Sequence, residues 1–299
     1  MSKMDNRHAY LIMAHDNPGQ LSKLIRLLDD ERNDIFVHID KKSESFPMEM
    51  FDSLVRKSTL KVITRKECFL AGYSQVDIEL DLLATATQQG HYRYYHLLSG
   101  HDLPLKTQNQ IHAFFDCHDE EFITFNGGGG RYHAKYTKYR HLFLEINTFR
   151  TSKLLKILDE FFVQIQALFN VDSQKKRNDK NWQFCDGWQW FSITDDFAKY
   201  ILSQREYIQR IFKDTKASDE FLMATLAYNS QYYERIYQRK NETGYGSMRF
   251  INFVSGKPYI FRNSDFNKLM SSSCIFARKF DETVDKEIIE KIYLSLKGN

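Results

Sequence analysis

The chain lacks the usual marks of a secreted, zinc-stapled or nucleic-acid-binding protein. Its 299 residues include four cysteines, Cys68, Cys117, Cys185 and Cys274, widely separated, with no Cys-x-x-Cys pair. That spacing excludes a zinc knuckle and reads as reduced thiols rather than a disulfide framework. No apolar run approaches the length of a membrane span. The opening residues lead into a strand-like segment with no signal-peptide apolar core. Both absences predict a cytoplasmic protein that is neither exported nor membrane-spanning. Net charge is only +3, too small to indicate a nucleic-acid partner, though it suits an anionic small ligand or an anionic membrane surface. No repeat or low-complexity tract is visible. The single glycine run, Gly127–Gly130, has neither the Lys-Ser/Thr of a phosphate loop nor GxGxxG spacing, so it reads as a flexible joint.

What is present is a globular pattern. Hydrophobic residues are 42% and charged residues 27%, which excludes a disordered chain. Short apolar runs at His8–His15, Asp34–Asp40, Leu60–Thr64, Tyr94–Leu98 and Phe122–Phe125 read as strands. Between them, helical spacing follows Asp16-Asn17-Pro18-Gly19 and recurs over Ser74–Gln89 and Gln108–Phe115. This alternation predicts a single large α/β domain, its mostly parallel sheet flanked by helices. We divide it into a nucleotide-binding half, residues 1–125, and an acceptor and catalytic half, residues 126–299. In such sheets ligands sit beyond the carboxyl ends of the strands. Those ends carry His15-Asp16, His38-Ile39-Asp40 and Ser99-Gly100-His101-Asp102, which argues for one shared cleft.

The second half is less regular. Arg131–Arg140 reads as an exposed basic, aromatic loop. Residues 152–170 have Leu154, Leu155, Leu158, Phe161, Phe162, Ile165, Leu168 and Phe169 at helical spacing. That pattern predicts a core helix, with a membrane-surface helix as the alternative. Trp188-Gln189-Trp190 is either a sugar-binding platform or a pair of core indoles. A helix is expected over residues 194–213. Ala217-Ser218-Asp219-Glu220 opens an apolar run, and Ser218 or Asp219 is the expected N-cap. Glu220 then falls in the first turn, where the helix dipole favours an ionised carboxylate and a general base could stand. Two late segments, Met248–Phe253 and Cys274–Asp281, insert cations into apolar runs. A buried cation needs an anion nearby.

Taken in order, His8–His15, Phe36–Lys42, Leu98–Lys106, Gly187–Phe191, Ser218–Phe221, Met248–Ile251 and Phe276–Asp281 resemble the core-2/I-branching β-1,6-N-acetylglucosaminyltransferases and, more distantly, the peptide O-xylosyltransferases. The resemblance implies a GT-A-like, Rossmann-type fold and inverting transfer from a UDP-sugar, here expected to be UDP-GlcNAc. UDP-xylose, UDP-glucose and UDP-galactose are alternatives, as is a non-catalytic sugar-nucleotide-binding scaffold. It implies no cofactor and no divalent metal, and no Asp-x-Asp motif occurs. Glu220 matches the family's catalytic base. Arg249 and Lys279 match the cations that hold the diphosphate, Asp40 the reader of the uracil, and His15 the nucleotide pocket. His101, Asp102, Trp188, Gln189 and Trp190 are expected to shape sugar subsites. The expected partners are a UDP-sugar donor and a glycan or lipid-linked oligosaccharide acceptor, without nucleic acid. Peripheral contact with the cytoplasmic face of a bacterial inner membrane, in surface polysaccharide synthesis, is a further expectation.

Overall fold

The computed structural model describes residues 6–128, 131–237 and 246–297. Four parallel strands form the heart of the sheet: β1 (His8–Ala14), β2 (Asn33–Ile39), β3 (Thr59–Val62) and β4 (Tyr94–Ser99), in the order β3-β2-β1-β4. Helix α1 (Pro18–Leu28) connects β1 to β2, and α2 (Tyr73–Gln89) lies between β3 and β4. Side chains alternate along the strands, so Tyr10, Ile12, Ile35 and Val37 meet one core cluster with Leu21, Leu24 and Leu28 of α1. Ala9, Leu11 and Phe36 meet another, built from α2 and the helices beyond residue 194. This is the expected mixed α/β architecture, a mostly parallel sheet flanked by helices.

Strand β5 (Asp102–Pro104) precedes α3 (Gln108–Asp116) and starts a second sheet. It runs antiparallel to Phe276–Arg278, which in turn runs parallel to Arg249–Ile251. The fifth strand of the main sheet is Ser192–Thr194, antiparallel to β4. The two halves of the sequence therefore share both sheets.

Several expectations change. Phe122–Phe125 is not a strand: Phe122 makes a single rung with Ser192, and the edge position goes to Ser192–Thr194. The helix expected over 194–213 is two, Asp195–Ser203 and Arg205–Phe212, broken at Gln204. Gly127–Gly128 is paired antiparallel with Cys185–Asp186 instead of forming a loose joint, and Gly129 and Gly130 lie outside the described residues. Residues Arg131–Lys138 are helical. None of the four cysteines is in a disulfide.

The helix Lys153–Leu168 is turned inside out relative to expectation. Its inward residues are Asp159, Val163 and Gln166, while Leu154, Ile157, Phe161, Leu168 and the C-cap Phe169 are each more than 60% exposed. Polar bonds hold it that way. Asp159 faces the His141 ring nitrogen Nδ1 at 2.8 Å. Gln166 accepts from the Arg140 amide at 2.9 Å and donates to the Arg140 carbonyl at 2.9 Å.

Arg249 is completely buried. Its guanidinium donates to the Ser192 hydroxyl at 2.9 Å, to the Leu97 carbonyl at 3.2 Å and to the carbonyls of Ser247 and Phe191. The Phe276 ring lies under it, 5.0 Å from the guanidinium carbon. Burial pushes its pKa down to about 9, so it is still charged at neutral pH. The expectation that Arg249 grips a diphosphate is corrected: its donors are directed at backbone and hydroxyl acceptors inside the protein. Arg249→Met should lower unfolding stability by at least about 3 kcal/mol in urea melts, because each buried acceptor left unpaired costs ~1–3 kcal/mol. Unchanged stability would show that the guanidinium is not a structural tie.

Candidate functional site

The carboxyl ends of β1, β2 and β4 meet at one side of the sheet. Gly100 makes the close approach possible, since a Cβ there would lie 2.9 Å from that of Ala14. Just beyond β1, His15 and Asp16 follow the buried Ala14. The His101 imidazole donates from Nδ1 to the Phe280 carbonyl at 2.8 Å, and its Nε2 lies 2.8 Å from an Asp16 oxygen. The His15 ring stands 5.6 Å from that of His101, centroid to centroid, and 3.3 Å from Asp16. Burial alone would raise the Asp16 pKa, but His101, His15 and Lys279 hold it below the usual carboxylate value. Loss of hydration lowers the His15 pKa, and the charges of His101 and Lys279 add to this against the pull of Asp16. Lys279 is thus within electrostatic reach of both residues.

The loop carrying Lys279 is fixed by α1. Gln20 donates to the carbonyls of Gly100 and Phe280 at 3.0 and 3.2 Å and accepts from the Glu282 amide at 3.1 Å. The side chain of Asn17, which has left-handed backbone geometry, donates to Asp281 at 3.2 Å. Arg278 stacks over Trp190, 4.2 Å from the ring centroid, and donates to Asp102 at 3.0 Å and to Ser99. Asp40, at the end of β2, accepts from the Lys42 amide at 2.9 Å and pairs with the Lys42 ammonium at 3.0 Å.

The helix Ser218–Tyr228 supplies Glu220. Its N-cap is Ala217, in the left-handed region with φ 54°, and no side chain caps it. The expected cap from Ser218 or Asp219 is therefore corrected. The Ala217 amide donates to the Ala71 carbonyl at 2.9 Å, which sets where the helix begins. Glu220 is exposed on the first turn. Even so, enough protein surrounds it that loss of hydration raises its pKa, with the Asp186 charge adding to the effect. A base whose pKa moves up toward neutrality is better matched to proton abstraction.

The Gly187–Trp190 loop links this helix to the cations. The Gly187 amide donates to the Glu220 carbonyl at 2.8 Å. A Cβ at residue 187 would fall 1.9 Å from the Thr124 carbonyl oxygen, so only glycine fits. Next to it, Trp188 is half-buried and tilts against the exposed Phe253 ring, centroids 5.2 Å apart. Gln189 is buried and donates to Glu79 at 2.7 Å. Trp190 is buried beneath Arg278. Of the two indoles, Trp190 is core and Trp188 can offer a face. Asp102 is fully buried in its bonds to Ser99 and Arg278, so it supports the site from beneath.

Below the loop lie two buried acids, Glu79 and Asp219. Burial pushes Glu79 well above its usual pKa, with Asp219 adding repulsion. Asp219 is pushed up to about 7 by burial and by the Glu220 charge. Gln75 donates to Asp219 at 3.4 Å.

The geometry thus groups His15, His101 and Lys279 at the strand ends, with Asp40 near them at the end of β2, and connects them to Glu220 through residues 187–190. The sequence reading placed Asp16 at the strand-end cleft and Arg278 in a cation-bearing run without giving either a role, and it did not single out Glu79, Asp186 or Phe253. Glu79 gave one signal, an acid in the apolar run of α2. His15, Asp16 and His101 offer ligand atoms all within 4.8 Å of one another. Imidazole and carboxylate are suitable donors for a divalent ion, but the charge of Lys279 beside them opposes one. Two other concave regions, around His91–Tyr94 and around Asp29–Arg32, lie at the amino ends of β4 and β2, away from this chemistry.

The Core-2/I-Branching enzyme model matches residues 8–268, and the chain belongs to that family. It is similar to Xylosyltransferase 2 of Rattus norvegicus and of Homo sapiens, each 23% identical over 98% of this chain and 34% of that protein. The chain therefore spans about a third of the length of these curated relatives. Among solved structures, mouse Xyloside xylosyltransferase 1 in its apo form matches 74% of this chain and 82% of its own, at 11% identity and a TM-score of 0.31.

The raised Asp219 pKa gives a signed expectation. Between the unfolded value near 4 and about 7, the native state binds the proton that the unfolded state has released. Stability contributed by protonated Asp219 is present below pH 4 and is lost as pH rises through 7. Asp219→Asn should flatten the fall in stability over that window, measured as thermal midpoints against pH. An unaltered slope would place the titration elsewhere.

Proposed function

We propose that the chain transfers a sugar from a UDP-sugar to a glycan hydroxyl with inversion at the anomeric carbon, using no divalent cation. The observation that supports this reading is the tie of the Glu220 backbone carbonyl to the Gly187 amide, in a loop whose Trp190 lies under Arg278, the chain neighbour of Lys279. Glu220 takes the proton of the acceptor hydroxyl. The freed oxygen pair forms the new bond to the anomeric carbon, and the bond to the UDP oxygen breaks with its electrons on the diphosphate. Lys279, with Arg278 beside it, stabilises that growing negative charge where other enzymes use a metal. Asp40 reads the base and His15 borders the nucleotide, while Trp188 with Phe253 offers a flat apolar face to the acceptor.

UDP-GlcNAc is the proposed donor, and the acceptor is a glycan hydroxyl, on a lipid-linked oligosaccharide if the enzyme serves surface polysaccharide synthesis. The names of the relatives, xylosyltransferases, favour UDP-xylose as a second reading. A donor panel scored by UDP release separates the two. Glu220→Gln should cut turnover at least ~100-fold, the usual scale for losing a general base, while calorimetric UDP affinity stays within error. Full activity in that variant would remove the mechanism. Lys279→Ala should weaken UDP binding roughly 10-fold, as expected on losing a charge-assisted bond, and EDTA should leave wild-type turnover intact. Loss of activity in EDTA restored by manganese would point instead to His15, Asp16 and His101 as cation ligands.

A further inference from the structure

The helix Lys153–Leu168 presents its apolar side outward, and we infer that this side docks on an anionic lipid surface. Leu154, Ile157, Phe161, Ile165 and Leu168 recur at helical spacing and are all exposed, and the helix continues into the exposed C-cap Phe169. Turning them inward is not open to the helix, because its opposite side is bonded through Asp159 to His141 and through Gln166 to Arg140 and Ser173. A row of large apolar side chains held in water by the fold marks an interaction surface.

Charge identifies the occupant. Residues 131–180 carry eleven Lys and Arg against five Asp and Glu, while the whole chain is only +3. Among the exposed cations, Arg150, Lys153 and Lys156 are grouped at the amino end of the helix, and Lys175 and Lys176 follow its carboxyl end. Apolar side chains flanked by cations match the requirement of a helix lying in the plane of an acidic bilayer. A second copy of this chain on the same patch, in a two-fold dimer, would bring the patch against itself and set these cations facing their own kind. No helix among the described residues is long and apolar enough to cross a membrane, so the contact is peripheral. This inference does not depend on the donor sugar or on Glu220.

The test is co-sedimentation of the full chain with phosphatidylcholine vesicles, with and without phosphatidylglycerol. Binding should require phosphatidylglycerol and weaken as salt is added. The double variant Phe161→Asp, Leu168→Asp should lose binding more than ~10-fold per residue, the scale of burying one large apolar side chain. Lys153→Gln and Lys156→Gln should weaken it about 5-fold each. All four positions are exposed, so far-UV melts of these variants should match wild type. Absence of binding to acidic vesicles at low salt overturns the inference. Equal binding to neutral vesicles overturns the role given to charge. A dimer in sedimentation equilibrium that the Phe161 and Leu168 changes dissolve, with no vesicle binding, assigns the surface to a second copy instead.

Discussion

The buried guanidinium of Arg249 is the constraint on which the candidate site rests. It belongs to the smaller sheet, yet it donates to the Leu97 carbonyl of β4 and to Phe191 and Ser192 at the edge of the larger one. These bonds fix the angle and separation of the two sheets. The strand Phe276–Arg278 pairs directly with Arg249–Ile251, so the same bonds set where Arg278 and Lys279 emerge. They act together with the ties of Gln20 and Asn17 to residues 280–282, which hold the same segment over the carboxyl ends of β1 and β4. A cation of this kind is tolerated in the interior because four preformed acceptors take its terminal NH donors and an aromatic face lies beneath it.

A second constraint is the concentration of acid below the Gly187–Trp190 loop. Glu79 and Asp219 are both buried, and burial raises the pKa of each, with Asp219 adding repulsion at Glu79 and Glu220 adding it at Asp219. Such groups destabilise a fold unless they are partnered. Here Gln189 and Gln75 partner them, and Gln189 is also a member of the loop that links Glu220 to Trp190. The loop's rigidity therefore comes from beneath, through an amide–carboxyl bond, and from one side, through a glycine that no other residue can replace beside Thr124. At the rim above it, Trp188 and the exposed Phe253 lie ring against ring.

The helix Lys153–Leu168 shows the opposite balance. Most surface helices hide their apolar stripe, whereas this one uses an imidazole–carboxylate pair and three bonds from Gln166 to keep it exposed. Exposing large side chains weakens a monomer's stability in water. The arrangement makes physical sense when the apolar side is covered in use. The local excess of lysine and arginine at both ends is a long-range attraction that brings such a surface to its target before the short-range hydrophobic contact forms.

The sequence by itself determined the parallel strands β1 to β4, the helices between them and the grouping of His15, Asp40 and His101 at strand ends. These follow from apolar periodicity, which acts over a few residues, and from the rule that parallel strands end together. The amphipathic pattern of residues 153–168 was equally plain, but a pattern says only that one side is apolar, not which way it faces. Tertiary structure decided that through Asp159 and Gln166, whose partners are 18 and 26 residues away. It also decided that Ala217, and neither Ser218 nor Asp219, caps the helix of Glu220, because the tie is to Ala71. Above all it decided the fate of Arg249. A charged residue in an apolar run needs acceptors, and whether they are a ligand's or the protein's own depends on segments up to 152 residues distant, which no local reading can weigh.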